Sequence, residues 1–204
     1  SGYFETYNRD NVELVDAAET SIVRITETGI ETTDRSFDFD IIIYSTGFDS
    51  FTGAFEQIDI RGANGHKLRD KWKDGPVTLM GLLVHDMPNL AMVIGPQSSA
   101  TNFPRGAEQA IDWITSLLEF MWEKGYSRFD ASAEAEQAWF EHVKDMYQGL
   151  LLRKAKSWIT GYNSNLEGHE YGKTHYNIYN GGGPKYAKTL RHETDNDYPA
   201  LTFK

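Results

Sequence analysis

The sequence predicts an α/β fold, and three observations carry that prediction. Residues Ile41-Ile42-Ile43-Tyr44 form an apolar run without polar alternation, and the run ends at Thr46-Gly47. A second apolar run, Leu90 to Ile94, ends at Gly95-Pro96. A polar loop, Gln97 to Thr101, then leads into apolar residues repeating at helical spacing from Ala107 to Met121. Unalternating runs are the pattern of strands buried on both faces of a parallel sheet. At Gly47 there is no Cβ to block a ligand, and ligands of doubly wound sheets sit just beyond the carboxyl ends of strands.

The elements follow in order. Val12 to Val15, Ser21 to Thr26 and Ile30 to Thr33 are β-branched and punctuated by Gly29 and Asp34, so they read as short strands, the last two as a hairpin across Glu27-Thr28-Gly29. Ile58 to Ile60 reads as a further strand, followed by a turn with an Asn64-Gly65 pair. Asn102 is an N-cap for the helix that follows, and Pro104 sits where its missing N–H costs nothing. Ala107, Ala110, Ile111, Ile114, Leu117, Leu118 and Met121 give that helix one buried stripe, and Gly125 is placed to end it. A second helix is expected from Ser132 to about Lys154, with Trp139, Val143, Met146 and Leu150 inward. The tail beyond Lys156 reads as irregular, with Gly181-Gly182-Gly183-Pro184 as a turn.

Composition narrows the function. A length of 204 residues suits one domain or two small ones. A net charge of -10 argues against a nucleic-acid surface, which needs a clustered positive field. Zero cysteines excludes disulfides, thiolate zinc sites and a cysteine nucleophile, and is compatible with a cytoplasmic protein. No apolar run reaches membrane-spanning length, so neither nucleic acid nor membrane is expected as a partner.

Several constellations fail on spacing. His169-Glu170 and His175 lack the i, i+4 spacing of a helical zinc pair, and no metal site is expected. No Gly-x-Ser-x-Gly elbow occurs. Gly-x-Gly-x-x-Gly is absent too, so the chain has no cradle for the pyrophosphate of a dinucleotide. The start of the helix after Asn102 is the stronger ligand-facing feature. Its free N–H groups and positive dipole end favour a developing anion, although Asn102 as a simple surface cap explains the same pattern.

The chain resembles the C-terminal part of Baeyer–Villiger monooxygenases, the phenylacetone and cyclohexanone monooxygenase type. The matching segments are Asn8 to Asp16, Asp40 to Asp49, Ile58 to Gly62, Leu68 to Pro76, Met80-Gly81, Pro88 to Pro96, Thr101 to Pro104, Glu108, Trp113, Ser157 to Asn163 and Tyr179 to Tyr186. The resemblance implies a Rossmann-like flavoprotein with FAD- and NADP-binding domains, β-hairpins and two long helices. Residues 1–40 would complete the NADP domain, and residues 41–204 the FAD domain with a tail covering NADP. The implied reaction inserts one oxygen atom from O₂ next to a ketone carbonyl, giving an ester or lactone through a flavin C4a peroxide, with NADPH as reductant. The expected partners are therefore a small ketone, O₂ and the missing N-terminal portion.

By the same resemblance, Thr46, Gly47, Phe48, Gly95, Pro96, Asn102, Phe103, Trp158 and Asn163 would face the cofactors. Ser98, Ser99, Ala100 and Thr101 would line the substrate pocket. No catalytic residue is expected within this chain: the family's arginine falls just before the point matching Tyr3, and Arg9 is a different residue. The chain alone would be inactive. Tyr44-Ser45 and Ala91-Met92 depart from the family's usual residues at strand positions. Two other readings stand beside this one: an N- or S-oxygenating flavin monooxygenase, and a non-catalytic domain that binds a protein partner.

Overall fold

The computed structural model describes residues 2–99, 102–164 and 166–204. The chain divides into two compact units, one up to Gly47 and one from Phe48 onward. Helices and small antiparallel sheets alternate, so the chain is α/β in content.

The first unit holds a single-turn helix α1 (Tyr3–Thr6) and a three-stranded antiparallel sheet in the order β1 (Ile22–Ile25), β2 (Gly29–Thr32), β3 (Ser36–Asp38). The β1–β2 hairpin turns where the sequence places it, and Thr26 N–H closes it on Gly29 O at 2.9 Å. Arg24 and Glu31 are cross-strand partners and form an ion pair at 2.6 Å. Residues 12–15, expected as a strand, form no regular element.

The segment around Ile41–Tyr44 also differs from expectation: it is not a strand, and residues 41–50 carry no regular secondary structure. Ile41, Ile43 and Tyr44 are 78%, 82% and 67% exposed. A strand apolar on both faces is stable only between neighbours, and no strand of the described residues pairs with it. Leu90 to Ile94 is likewise not a strand. Left-handed residues at each end, Asn89 (φ 58°) and Ile94 (φ 59°), break the extended path.

In the second unit, short helices α2 (Gly53–Glu56) and α3 (Leu68–Lys71) precede the long α4 (Phe103–Lys124). Asn102 caps α4 by accepting from Arg105 N–H at 3.3 Å. Gly125 ends it at φ 72°, with Tyr126 N–H bonded to Met121 O at 2.9 Å, the left-handed termination that glycine permits. Its buried stripe is Ala110, Trp113, Leu117 and Met121, whereas Ile111 and Leu118 are half exposed. The next helix, α5 (Ala133–Tyr147), starts at the expected Ser132 cap but stops at Tyr147; residues 151–154 make a separate 3₁₀ turn. The glycine run is no simple turn. Gly183 opens a third long helix, α6 (Gly183–Asp195), with Pro184 in its first turn, where no N–H is required.

Strands β4 (Phe129–Ala131) and β5 (Leu201–Phe203) pair antiparallel and close the unit. One core joins Leu79, Leu82, Leu83, the inner faces of α4, α5 and α6, and Tyr179. A smaller cluster gathers Leu68, Trp72, Val84, Met87 and Met92. Polar atoms in this core are matched rather than avoided: Tyr186 donates to Met80 O at 2.6 Å, and burial pushes its hydroxyl pKa well up.

Candidate functional site

Three of the expected cofactor-facing residues come together around one narrow cavity. Phe48, Trp158 and Asn163 line it with Asp49, Thr52, Gly161, Tyr162, His169, His175 and Asn177. The cavity itself holds about 10 Å³, room for one water-sized group. Trp158 stacks on Phe51 with ring centroids 5.6 Å apart, and His169 meets His175 edge to face at 4.8 Å. A 3₁₀ turn, Trp158–Thr160, presents the tryptophan. Its cap is Ser157, whose Oγ accepts from Ile159 N–H at 3.2 Å.

Two wall residues carry unmet polar atoms. His175 Nε2 and Asn177 Oδ1 are buried and have no hydrogen-bond partner among the described residues. Desolvation, and then the nearby His169 and Lys173, hold the His175 pKa below the usual imidazole value, so the ring is kept neutral. An unpartnered buried acceptor is costly, which makes this wall suited to a hydrogen-bond donor. Phe48 is 93% exposed and Trp158 55% exposed. Thr46 and Gly47 are exposed as well; Gly47 sits at φ 84° with open space where a side chain would be.

Asn102 and Phe103 belong to a second place, the N-terminal end of α4. Asn102 O accepts Gly106 N–H, its side chain takes Arg105 N–H, and Pro104 has none to give. Phe103 N–H and the positive end of the dipole lie at this helix start. Asn102 borders a groove of about 510 Å³ with Arg105, Gln109, Gly183, Pro184, Ala187 and Arg191. Two helix N-termini and two guanidinium groups give this groove positive charge to offer a ligand.

The loop that leads from Ile94 into α4 is supporting structure in this unit. Gln97, fully buried, donates to Pro76 O at 2.9 Å and accepts from Thr78 N and Thr78 Oγ1 at 3.0 Å each. Trp139 Nε1 donates to Gln97 O at 3.3 Å. Pro96 is buried, and Gly95 approaches Gly81 so closely that an added Cβ would lie 2.6 Å from Gly81 O. Ser98 and Ser99 are buried too; they line a small internal cavity with Gly106, Gln109 and Tyr186, and Ser99 Oγ has no partner among the described residues. Ala100 and Thr101 lie outside the described residues.

The sequence reading missed His175, Asn177, Gln97, Arg105 and Arg191. The spacing of His175 speaks only to a zinc site, and no residue pattern marks a glutamine that anchors a loop through contacts 19 and 21 positions away.

No family model matches the chain. It is 39% identical over 164 residues, 80% of its length, to cyclohexanone 1,2-monooxygenase of Acinetobacter sp.. It is 37% identical over 164 residues to a Baeyer–Villiger monooxygenase of Pseudooceanicola batsensis, and 36% identical over 199 residues to a phenazine N-monooxygenase of Lysobacter antibioticus. The chain spans about a third of the length of these relatives: 30%, 30% and 36%. Its whole length superposes on a closed crystal structure of cyclohexanone monooxygenase with a TM-score of 0.92 at 31% identity, covering 38% of that chain. The OTEMO complex with FAD and NADP matches with a TM-score of 0.87 at 34% identity, covering 37% of that chain. No helix among the described residues is long and apolar enough to cross a membrane. Taken with the segments quoted above, this similarity along the whole chain places it in the Baeyer–Villiger monooxygenase family.

Proposed function

We propose that this chain is the C-terminal part of an FAD- and NADPH-dependent enzyme that inserts one oxygen atom from O₂ beside a ketone carbonyl. The first unit is read as part of the NADP-binding domain and the second as part of the FAD-binding domain. A cysteine-free chain suits a reducing cytoplasm. The observation that carries the reading is the gathering of Phe48, Trp158 and Asn163 on one cavity, from segments more than 100 residues apart.

The residues present fit a covering and orienting role toward the cofactors, without a pyrophosphate cradle. Phe48, Phe103 and Trp158 offer exposed apolar faces that a planar ring would cover. Asn177 Oδ1 awaits a donor, which a carboxamide NH₂ supplies, and His175 Nε2 beside it can take a further polar partner. Reduced flavin, when bound, supplies the electrons that activate O₂. The chain's own part is electrostatic and steric. The α4 N-terminus, through Phe103 N–H and the helix dipole, favours negative charge held beside it. Trp158 and Phe51 together exclude water from what they cover. Gln97 and Trp139 hold Ser98 and Ser99 in place beneath the first turns of α4.

The test uses the full-length protein carrying this chain, purified with its yellow flavin. The expected result is NADPH oxidation dependent on a cyclic ketone, with one lactone formed per NADPH consumed. A colourless protein, or NADPH use without oxygenated product, overturns the proposal. The similarity to a phenazine N-monooxygenase favours a second reading, oxygenation of an aromatic ring nitrogen. An N-oxide formed where no ketone is converted would establish that reading instead.

A further inference from the structure

Away from these cavities, an adjacent pair of side chains meets a third from a strand more than 40 positions along the chain. One donor atom each from His85, Asp86 and Asp130 lies within 4.8 Å of the other two. His85 and Asp86 belong to the turn after Val84, and Asp130 is the middle residue of β4. His85 Nδ1 is 2.8 Å from Ala131 O. A carbonyl can only accept, so Nδ1 carries the proton, and Nε2 of the neutral ring presents a lone pair. That Nε2 faces Asp86 Oδ1 at 3.6 Å, acceptor against acceptor and too far for a hydrogen bond. Asp130 Oδ1 is sealed from solvent and completes no hydrogen bond among the described residues, on a side chain 12% exposed; the Asp86 backbone N–H lies near enough to the carboxyl to favour its charged form. Arg128 approaches only the other oxygen, Nη2 to Oδ2 at 3.7 Å. Two carboxyl groups and an imidazole lone pair therefore share one space.

The surroundings hold this arrangement in place. Glu136 Oε1 accepts His85 N–H at 2.7 Å, and Lys71 Nζ donates to His85 O at 2.7 Å and to Glu136 at 2.9 Å. The peptide of His85 is thus gripped at both ends while its ring is oriented by Ala131 O. A backbone carbonyl orienting the far nitrogen of an imidazole is the usual support of a metal-ligating histidine. Asp86 takes a left-handed backbone (φ 66°), which aspartate and asparagine adopt more readily than other side chains.

We propose that His85 Nε2, Asp86 and Asp130 bind a divalent first-row transition metal, which ties the turn after Val84 to β4. One imidazole with two carboxylates suits Mn²⁺, Co²⁺ or Zn²⁺, whereas Ca²⁺ and Mg²⁺ prefer all-oxygen shells. Ligand bonds of about 2.1 Å place neighbouring donors roughly 3.0 to 3.4 Å apart. Side-chain rotations of under about 2 Å bring the three atoms to that spacing. The ion neutralises both carboxylates, and water completes its coordination on the open side.

The experiment uses the protein at its natural length, stripped with a chelator and titrated with Co²⁺ under visible absorption. The expected result is one Co²⁺ per chain, displaced by Zn²⁺ and not by equal Ca²⁺. Asp86→Asn, which keeps the left-handed backbone accessible, and Asp130→Asn should each weaken binding at least tenfold. Zn²⁺ should raise the melting temperature of the wild type and not of either variant; melts without metal show whether the variants are folded. Binding of unchanged affinity in both folded variants places the ion elsewhere and overturns the proposal. No Co²⁺ binding up to millimolar concentration also overturns it, leaving a protonated His85 as the counter-charge of the two carboxylates.

Discussion

Residues 79–84 and residues 41–44 are both short apolar runs, and they meet opposite fates. Leu79, Met80, Leu82, Leu83 and Val84 are 4% exposed or less; the first four pack with α4 and α6, and Val84 with Leu68 and Trp72. Ile41, Ile43 and Tyr44 lie open to solvent within their own unit. Hydrophobicity does not distinguish the runs; the supply of neighbours does. The first has helices in the same unit whose apolar stripes match it, while the second has no strand among the described residues to pair with. Apolar surface left open on this scale marks a place made to be covered.

That contrast can be broken by substitution. In the 204-residue chain, Leu82→Ala should destabilise by about 2 to 5 kcal/mol, because it leaves a cavity in a closed core. Ile43→Ala should change stability by less than about 0.5 kcal/mol in the same urea titration. Equal effects would mean that residues 41–44 are packed after all. In the full-length protein the Ile43→Ala cost should rise toward the core value, which sharpens the point.

The polar counterpart is Gln97. Its replacement by alanine strands Thr78 N–H and Pro76 O in the interior and should cost roughly 2 to 4 kcal/mol, read as a shifted denaturation midpoint. Asn102→Ala, at an exposed cap, should cost about 1 kcal/mol. Gly125→Ala, forced to a positive φ, should cost about 1 kcal/mol as well.

The smallest expected effect concerns pH. His175 has its folded pKa held below the unfolded value of 6.5, so the unfolded chain binds the extra proton. This group's contribution to stability is therefore complete above pH 6.5 and shrinks as pH falls from there toward the folded pKa. His175→Gln should flatten the change in urea midpoint between pH 7 and pH 5.5 relative to the wild type. An undiminished slope would show that other groups govern it. Glu136 and Glu193, raised by burial, act with the opposite sign: their contribution falls as pH rises from 4.5 through their folded values.

Local signals in the sequence were legible wherever neighbours along the chain decide the outcome. The hairpin at residues 22–32, the Asn102 and Ser132 caps and the Gly125 stop all rest on contacts within a few residues. Helix α6 escaped because its opening Gly-Gly-Gly-Pro reads as a breaker, although Pro184 is acceptable in a first turn. The pairing of β4 with β5 joins positions 74 residues apart at Phe129 and Phe203, beyond any local pattern.

For the site, the sequence named Phe48, Trp158 and Asn163 through the family resemblance, and the structure set them around one cavity. It also put Gly95, Pro96, Ser98 and Ser99 inside, as supports beneath α4. What the sequence by itself determined was the set of local conformations, the acidic and cysteine-free character, and the family. Which apolar run is buried, which polar atoms are left without partners, and which distant carboxylate, Asp130, meets His85 were decided only by the tertiary structure. The physical reason is that burial and electrostatics depend on distance in space, and periodicity along a chain reports only on its own faces.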